Sequence, residues 1–301
     1  MRHPCPTLLF DICVADAYGM PYEFNADPIL CATNHGRSFV RSQRHEMRMA
    51  RYTDDGQMSI GVTEALLGQG RVTENIFTYW FLECFRRDPR PGYSSGFYLF
   101  LNAIVHDPKT GNLLPEITSG EIRKFREQIR ALSTKNGGAM RSVPLGVIPS
   151  PSKVLDITQM QASLTHNTDS GILAAQAVAL MSHFAFYEAD DFRDLRAFLK
   201  THLPAFRPLD IPTVGPIPSE GLPTAAAVYK LLASCHNRME VLVKAVELGG
   251  DTDSVAAIAF GIASILWRDP LPPGLKDGLD EPLFGKVYLL DLGRRLMKAF
   301  A

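Results

Sequence analysis

Apolar positions along this chain recur at helical rather than strand spacing. Between Gln57 and Leu67, the residues Met58, Val62, Ala65 and Leu66 fall three to four positions apart, and Gly68 and Gly70 close the run. Thr118-Ser-Gly-Glu121 has the spacing of a capping box ahead of the run Ile122–Leu132. Thr168 is placed to cap a helix through Ile172–Met181, and Pro223 suits the first turn of another that ends near His236. Asn237 opens Val241–Leu248, which Gly249 and Gly250 stop. The segment Val255–Leu266 is apolar on every side, which predicts a helix in the middle of the fold. Its Ala256, Ala257, Ala259, Gly261 and Ala263 let neighbouring helices approach closely. Strand signals are thin: Ser150–Asp156 and Arg207–Pro218 read as Pro-rich connections, and residues 204–222 read as a long surface loop. The pattern predicts an all-α protein, a single compact multi-helix domain over residues 1–301.

Composition narrows the class. A chain of 301 residues with 46% hydrophobic residues supports a substantial core. Its formal net charge of −1 argues against binding nucleic acid by general phosphate attraction. No uninterrupted apolar run is long enough to span a bilayer, and the apolar stretch before Asp11 is too short for a signal peptide. The five cysteines, Cys5, Cys13, Cys31, Cys84 and Cys235, form no Cys-x-x-Cys pair, which fits a reducing cytoplasm. A monomer is expected.

Two acidic clusters stand out against this background. Gly249-Gly250-Asp251-Thr252-Asp253-Ser254 precedes the apolar helix, and Thr53-Asp54-Asp55-Gly56 precedes the earlier amphipathic one. A helix N-terminus stabilises one negative charge by about 0.3–1 kcal/mol, and two crowded carboxylates at each entrance favour a cation. Either cluster alone reads first as exposed capping carboxylates. Together they read as two halves of one site. Asp54, Asp55, Asp251 and Asp253 offer carboxylates, while Thr53 and Ser254 offer hydroxyls. An oxygen-only set selects Mg²⁺ or Mn²⁺ over zinc, and two ions would neutralise it better than one. Elsewhere, the adjacent glycines of Lys135-Asn136-Gly137-Gly138-Ala139-Met140-Arg141 allow backbone N–H groups to turn toward one anion.

These segments resemble the ADP-ribosylglycohydrolase family, which includes the enzyme that removes ADP-ribose from dinitrogen reductase. The family has a Thr-Asp-Asp segment early and a Gly-Gly-Asp-Thr-Asp-(Ser/Thr) segment late, and both stand here in that order. Ala15-Asp16-Ala-Tyr-Gly19-Met-Pro-Tyr-Glu23 is similar to its Gly-Asp-x-x-Gly-x-x-x-Glu motif, with Ala15 for the first glycine. Residues 135–146 are similar to its Gly-Asn-Gly-x-Met-Arg-x-x-Pro segment, and Thr165-His166 to its Thr-His pair. Ser254 and Gly56 stand where the family often has threonine. The resemblance spans most of residues 9–266.

The resemblance implies an all-α fold and a two-metal centre held by Thr53, Asp54, Asp55, Asp251, Asp253 and Ser254. Asp16 would steady that centre by hydrogen bonds, and Glu23 and Asp55 would be the catalytic carboxylates. Asn136, Gly137, Gly138, Met140 and His166 would bind ADP-ribose. Arg141 is compatible with an internal ion pair or a phosphate contact, and Arg90–Tyr98 with an adenine stack, an entrance or an aromatic core turn. The implied activity is metal-dependent hydrolysis of the glycosidic bond between ADP-ribose and a protein side chain, arginine first, compatible with a catalytic antitoxin. Two other classes fit the residues. One is a metal-dependent nucleotide phosphohydrolase. The other is a non-catalytic protein that binds ADP-ribose or neutralises a toxin by contact.

Overall fold

The computed structural model describes residues 1–25, 35–41, 49–68 and 70–301; Cys31 lies outside them. The described residues form fourteen helices and two 3-10 turns, with isolated β-bridges and no sheet. The all-α expectation holds.

Two helices form the centre. Helix α1 (Leu8–Gly19) is buried along its whole length, and α12 (Thr252–Leu266) is buried except at its last residue. They pack against each other more extensively than any other pair. A helix apolar all round must be enclosed, and α12 is enclosed by α1, α8 (Asp169–Tyr187), α10 (Gly221–Ser234) and α11 (Arg238–Glu247). On the other side of α1 lies α2 (Asp54–Leu67), which packs on α3 (Glu74–Arg87) and α14 (Lys286–Ala299). The remaining helices are α4 (Ser95–Val105), α5 (Ser119–Gln128), the single turn α6 (Gly137–Met140), α7 (Pro151–Ser163), α9 (Leu195–His202) and α13 (Pro273–Lys276). Helix α8 is long and apolar enough to cross a membrane by length and composition; most of it is buried inside the protein.

Local chemistry sets the helix starts. Thr118 and Glu121 complete the capping box, and Thr168 and Asn237 accept the N–H groups of Gly171 and Glu240. Two boundaries differ from the expectation. Helix α5 ends at Gln128, not Leu132, and Ser150–Asp156 is no loose connection. Pro151 occupies the first turn of α7, where its missing N–H costs nothing, so the proline begins a helix instead of breaking one.

Three of the four isolated bridges stitch one region: Leu132 to His166, Lys135 to Glu220 and Ile217 to Gly250. The loop read as a surface excursion ends as a strut. Its Ser219 carbonyl accepts from Asn136 N–H at 2.9 Å, and its Ile217 carbonyl accepts from Asp251 N–H at 2.8 Å.

Candidate active site

The two acidic turns meet because α1 holds both. Asp16 of α1 reaches the entrance of α2, where its Oδ2 accepts N–H bonds from Thr53 and Gly56, each at 2.8 Å. Its Oδ1 accepts the Thr53 hydroxyl at 2.9 Å. Asp54 and Asp55 are therefore the first residues of a helix whose start is clamped by a third carboxylate. A side chain larger than hydrogen has no room at Gly56: a Cβ there would lie 2.7 Å from Tyr52 Cδ2 and 2.9 Å from Cys13 Sγ. At the second turn, Asp251 stands at the N-cap position of α12 without a side-chain capping bond, and Asp253 lies in its first turn. Asn136 joins the two motifs, donating from Nδ2 to Asp251 Oδ2 and to Thr224 Oγ1, both at 3.2 Å.

The resulting acidic cluster is able to hold a metal ion. Carboxylate oxygens of Asp16, Asp55 and Asp253 lie within 4.8 Å of one another, and all three residues are buried. Burial first, then repulsion from Asp54, raises the Asp55 carboxyl well above its ordinary range. Burial and then Asp16 do the same to Asp54, and burial and then Glu23 do so to Asp253. Burial pushes Asp16 up to about 6, against the three hydrogen bonds that favour its anion. Asp55 Oδ1 is buried with no hydrogen-bond partner among the described residues. A bare buried carboxylate oxygen is costly unless something binds it. An orphaned oxygen in an all-oxygen donor set fits a hard divalent cation.

One cavity of about 610 Å³ opens from this cluster. Its acidic end is lined by Glu23, Asp54, Asp55, Asp251, Asp253 and Ser254. Glu23 is half-buried and follows the 3-10 turn Met20–Tyr22. The facing wall carries Asn136, Gly137, Met140, Arg141, Thr165 and His166, and a third side is aromatic, with Tyr93, Phe97 and Phe100. Thr53 and Gly138 are absent from this lining: Thr53 is held under Asp16, and a Cβ on Gly138 would face His166 and Ala162. The Asn136–Met140 segment is a single helical turn, whose first N–H groups have no acceptor within the helix.

Glycines and ion pairs fix the surrounding backbone. Gly92 has φ +107, and a Cβ there would overlap Asp54 Oδ1; Asp54 N–H in turn donates to the Pro91 carbonyl at 3.2 Å. Gly250 has φ +81, and a Cβ there would strike the Ile217 carbonyl. The Gly92 loop is anchored by Arg90, which is 2% exposed. Its guanidinium lies 3.5 Å over the Tyr52 ring, donates to the Tyr52 carbonyl at 2.8 Å and pairs with Asp88 and Glu281, both at 2.5 Å.

Residues 90–98 thus divide their work: Arg90 is structural, while Tyr93 and Phe97 face the cavity. Tyr93 donates to Gln57 Oε1 at 2.9 Å. Arg141 forms no ion pair among the described residues; it donates to Gln161 and Thr165. Sequence reading missed Gln161, Ile217, Ser219, Glu281 and Phe100. Glu281 and Ser219 sit in unpatterned loops, so no local signal marks them.

Comparison with known proteins agrees with this geometry. The profile of the ADP-ribosylglycohydrolase family matches residues 12–301. ADP-ribosylhydrolase ARH3 of Gallus gallus is 27% identical over 280 residues, which covers 74% of this chain and 72% of that protein. ADP-ribosylhydrolase ARH3 of Homo sapiens is 25% identical over 273 residues, covering 73% and 72%. The solved structure of an ADP-ribosylglycohydrolase-related protein complex shares the fold. Its TM-score is 0.74 at 20% identity, over 98% of this chain and 97% of that one.

Proposed function

This chain belongs to the ADP-ribosylglycohydrolase family, and we propose that it cleaves the glycosidic bond between ADP-ribose and a protein side chain with the help of divalent cations. The observation that carries the reading is the single cavity, which unites the carboxylate cluster, an anion-accepting turn and an aromatic wall. Its volume of about 610 Å³ falls in the range of small-molecule sites. The acidic end takes the ribose and the scissile bond, the facing wall the diphosphate, and Phe97 or Phe100 the adenine.

Asp54, Asp55, Asp251 and Asp253, with the Thr53 and Ser254 hydroxyls, are the proposed ligands of two Mg²⁺ ions, which Mn²⁺ can replace. When bound, such ions supply Lewis acidity toward ribose hydroxyls and lower the pKa of water. Asp16 holds Thr53 and the first turn of α2 in register for ligation. Glu23 takes a proton from the water that attacks the anomeric carbon as the bond to the acceptor breaks. That proton ends on the departing group. Asp55, with its bare Oδ1, is the second catalytic carboxylate, orienting the ribose and the water. Asn136, Gly137, Gly138, Met140 and His166 bind the remote part of ADP-ribose, with Gly138 acting through the backbone of the turn, and so hold the reacting carbon in place.

Arginine is the proposed acceptor, as the resemblance to the family implies. The same chemistry would reverse the work of an ADP-ribosylating toxin. Action as a monomer is part of this proposal. The test is to incubate the protein with arginine- and serine-ADP-ribosylated substrates, with Mg²⁺ or EDTA, and identify products. Free ADP-ribose and an unmodified arginine, lost with EDTA, is the expected result. Release of phosphate or AMP would favour the phosphohydrolase reading, and binding without turnover the non-catalytic one.

A further inference from the structure

The wall facing the carboxylates contains a buried cation without a carboxylate partner. Arg141 is 1% exposed, and among the described residues it forms no ion pair. Its Nε donates to Gln161 Oε1 at 2.5 Å, and its Nη2 donates to the Gln161 carbonyl at 2.9 Å and to Thr165 Oγ1 at 2.7 Å. Gln161 is itself fixed, because its Nε2 donates to the Gly138 carbonyl at 3.0 Å and to Ser142 Oγ at 2.9 Å. The guanidinium carbon stands 4.4 Å from the centre of the Phe81 ring. Arg141 is thus locked on three sides and meets the cavity on the fourth.

Hydrogen-bond directions follow from this arrangement. A guanidinium only donates, so Thr165 Oγ1 is the acceptor in its contact with Arg141. The same oxygen lies 2.7 Å from His166 Nδ1. Among the described residues the Thr165 hydroxyl has no other acceptor, so its proton goes to Nδ1. The reverse arrangement would leave the hydroxyl proton without an acceptor among the described residues. His166 Nδ1 is then an acceptor, and the ring proton sits on Nε2. That nitrogen makes no hydrogen bond among the described residues. It lies beside Gly137 at the cavity wall, where a Cβ on Gly137 would be 3.1 Å from it.

We infer that Arg141 and Thr165 are positioning residues that hold His166 as its Nε2–H tautomer, a hydrogen-bond donor to a phosphate oxygen of ADP-ribose. The ligand named here rests on the ADP-ribosyl reading above; the tautomer does not. A phosphate oxygen only accepts, so an Nδ1–H imidazole would turn a lone pair toward it and repel it. Protonation is no alternative source of the donor. Burial, and then the nearby Arg141 charge, hold the imidazole pKa near about 3. The donor is set by tautomer instead of charge, and the bond to Thr165 sets the tautomer.

Long-range ¹H–¹⁵N NMR of the full chain labelled with ¹⁵N-histidine reads this directly, with His166 assigned by the signal lost in His166→Gln. The expected spectrum has a bare Nδ1 and a protonated Nε2, without ligand. A dominant Nδ1–H form would overturn the proposal. Thr165→Val removes the hydroxyl at nearly constant shape; mixed tautomers and about tenfold weaker ADP-ribose binding by calorimetry are expected. Thr165→Ser should restore both. Unchanged tautomer and affinity in a folded Thr165→Val protein would also overturn the relay, and should that variant not fold, the wild-type spectrum and the serine variant decide. A wild-type protein that shows the Nε2–H form but does not bind ADP-ribose would leave the relay standing and remove the ADP-ribosyl reading.

Discussion

The two facing walls of the cavity are built on opposite principles. The acidic end stands on the entrances of α2 and α12, helices buried almost throughout, whose backbone is set by the core. It gathers carboxylates and leaves Asp55 Oδ1 buried without a hydrogen-bond partner among the described residues. The facing wall stands on a four-residue helical turn and two loops, held by hydrogen bonds among Gly138, Arg141, Ser142, Gln161 and Thr165. It encloses the Arg141 guanidinium, which forms no ion pair among the described residues. Each wall is electrostatically incomplete, with opposite sign. On the proposed function, ligands of opposite charge complete the two walls: cations at the acidic end, a phosphate at the hydrogen-bonded one. Substitutions at the acidic end should act on chemistry with the fold kept. Those on the facing wall should act on binding.

The largest expected effect is at the acidic end. Asp253→Asn keeps size but removes one charge from a proposed ligand, and should lower kcat by about 10³-fold, a few kcal/mol of lost charge stabilisation. Metal titration and circular dichroism should show weaker metal binding in an intact fold. Normal metal binding and turnover would break the assignment. Glu23→Gln should cost about 10²-fold in kcat, on the scale of a general base, with metal affinity preserved. Turnover at the wild-type rate would leave water activation to the cations alone.

The facing wall should respond more weakly and differently. A Cβ on Gly137 would lie 2.9 Å from His166 Cε1, so Gly137→Ala must push the imidazole away. ADP-ribose affinity should fall about tenfold while metal affinity stays unchanged. Calorimetry with both ligands sharpens the comparison; parallel losses would mean that the two walls are one unit.

The smallest expected effect is on stability, and its sign depends on pH. Asp16, raised from 3.8 to about 6, keeps its proton in the folded chain after the unfolded chain has lost it. Stability from this group is therefore lost as pH rises through that window. Asp54, Asp55 and Asp253 are raised in the same direction. His166 runs the other way: its pKa falls from 6.5 to about 3, so its contribution is present above 6.5 and lost as pH falls. A divalent cation competes with the carboxylate protons alone. Mg²⁺ at a hundredfold excess over its Kd should add about 2.7 kcal/mol, roughly 5 °C in Tm, at pH 8 and clearly less at pH 5. Melts in Mg²⁺ and in EDTA at both pH values check this, and equal shifts would detach the cation from the carboxylates.

The sequence by itself determined the all-helical class and the acidic residues proposed for the site. Apolar positions at helical spacing, the caps Thr118, Thr168 and Asn237, and the all-apolar Val255–Leu266 made the fold class legible, because helices are set by contacts three and four residues apart. Asp54-Asp55 and Asp251-Thr-Asp253 were legible because crowded carboxylates at helix entrances are unfavourable without a cation. Only the tertiary structure decided how these parts meet. Asp16 caps α2 across 37 residues, Ile217 and Ser219 brace the two motifs from a loop, and Arg90 fastens the Asp54 loop to Glu281 across 191 residues. None of these leaves a local pattern, since each depends on two distant segments being placed side by side. The tautomer of His166 belongs to the same class. It is set by a hydroxyl one residue away that is itself oriented by Arg141, 24 residues earlier in the chain.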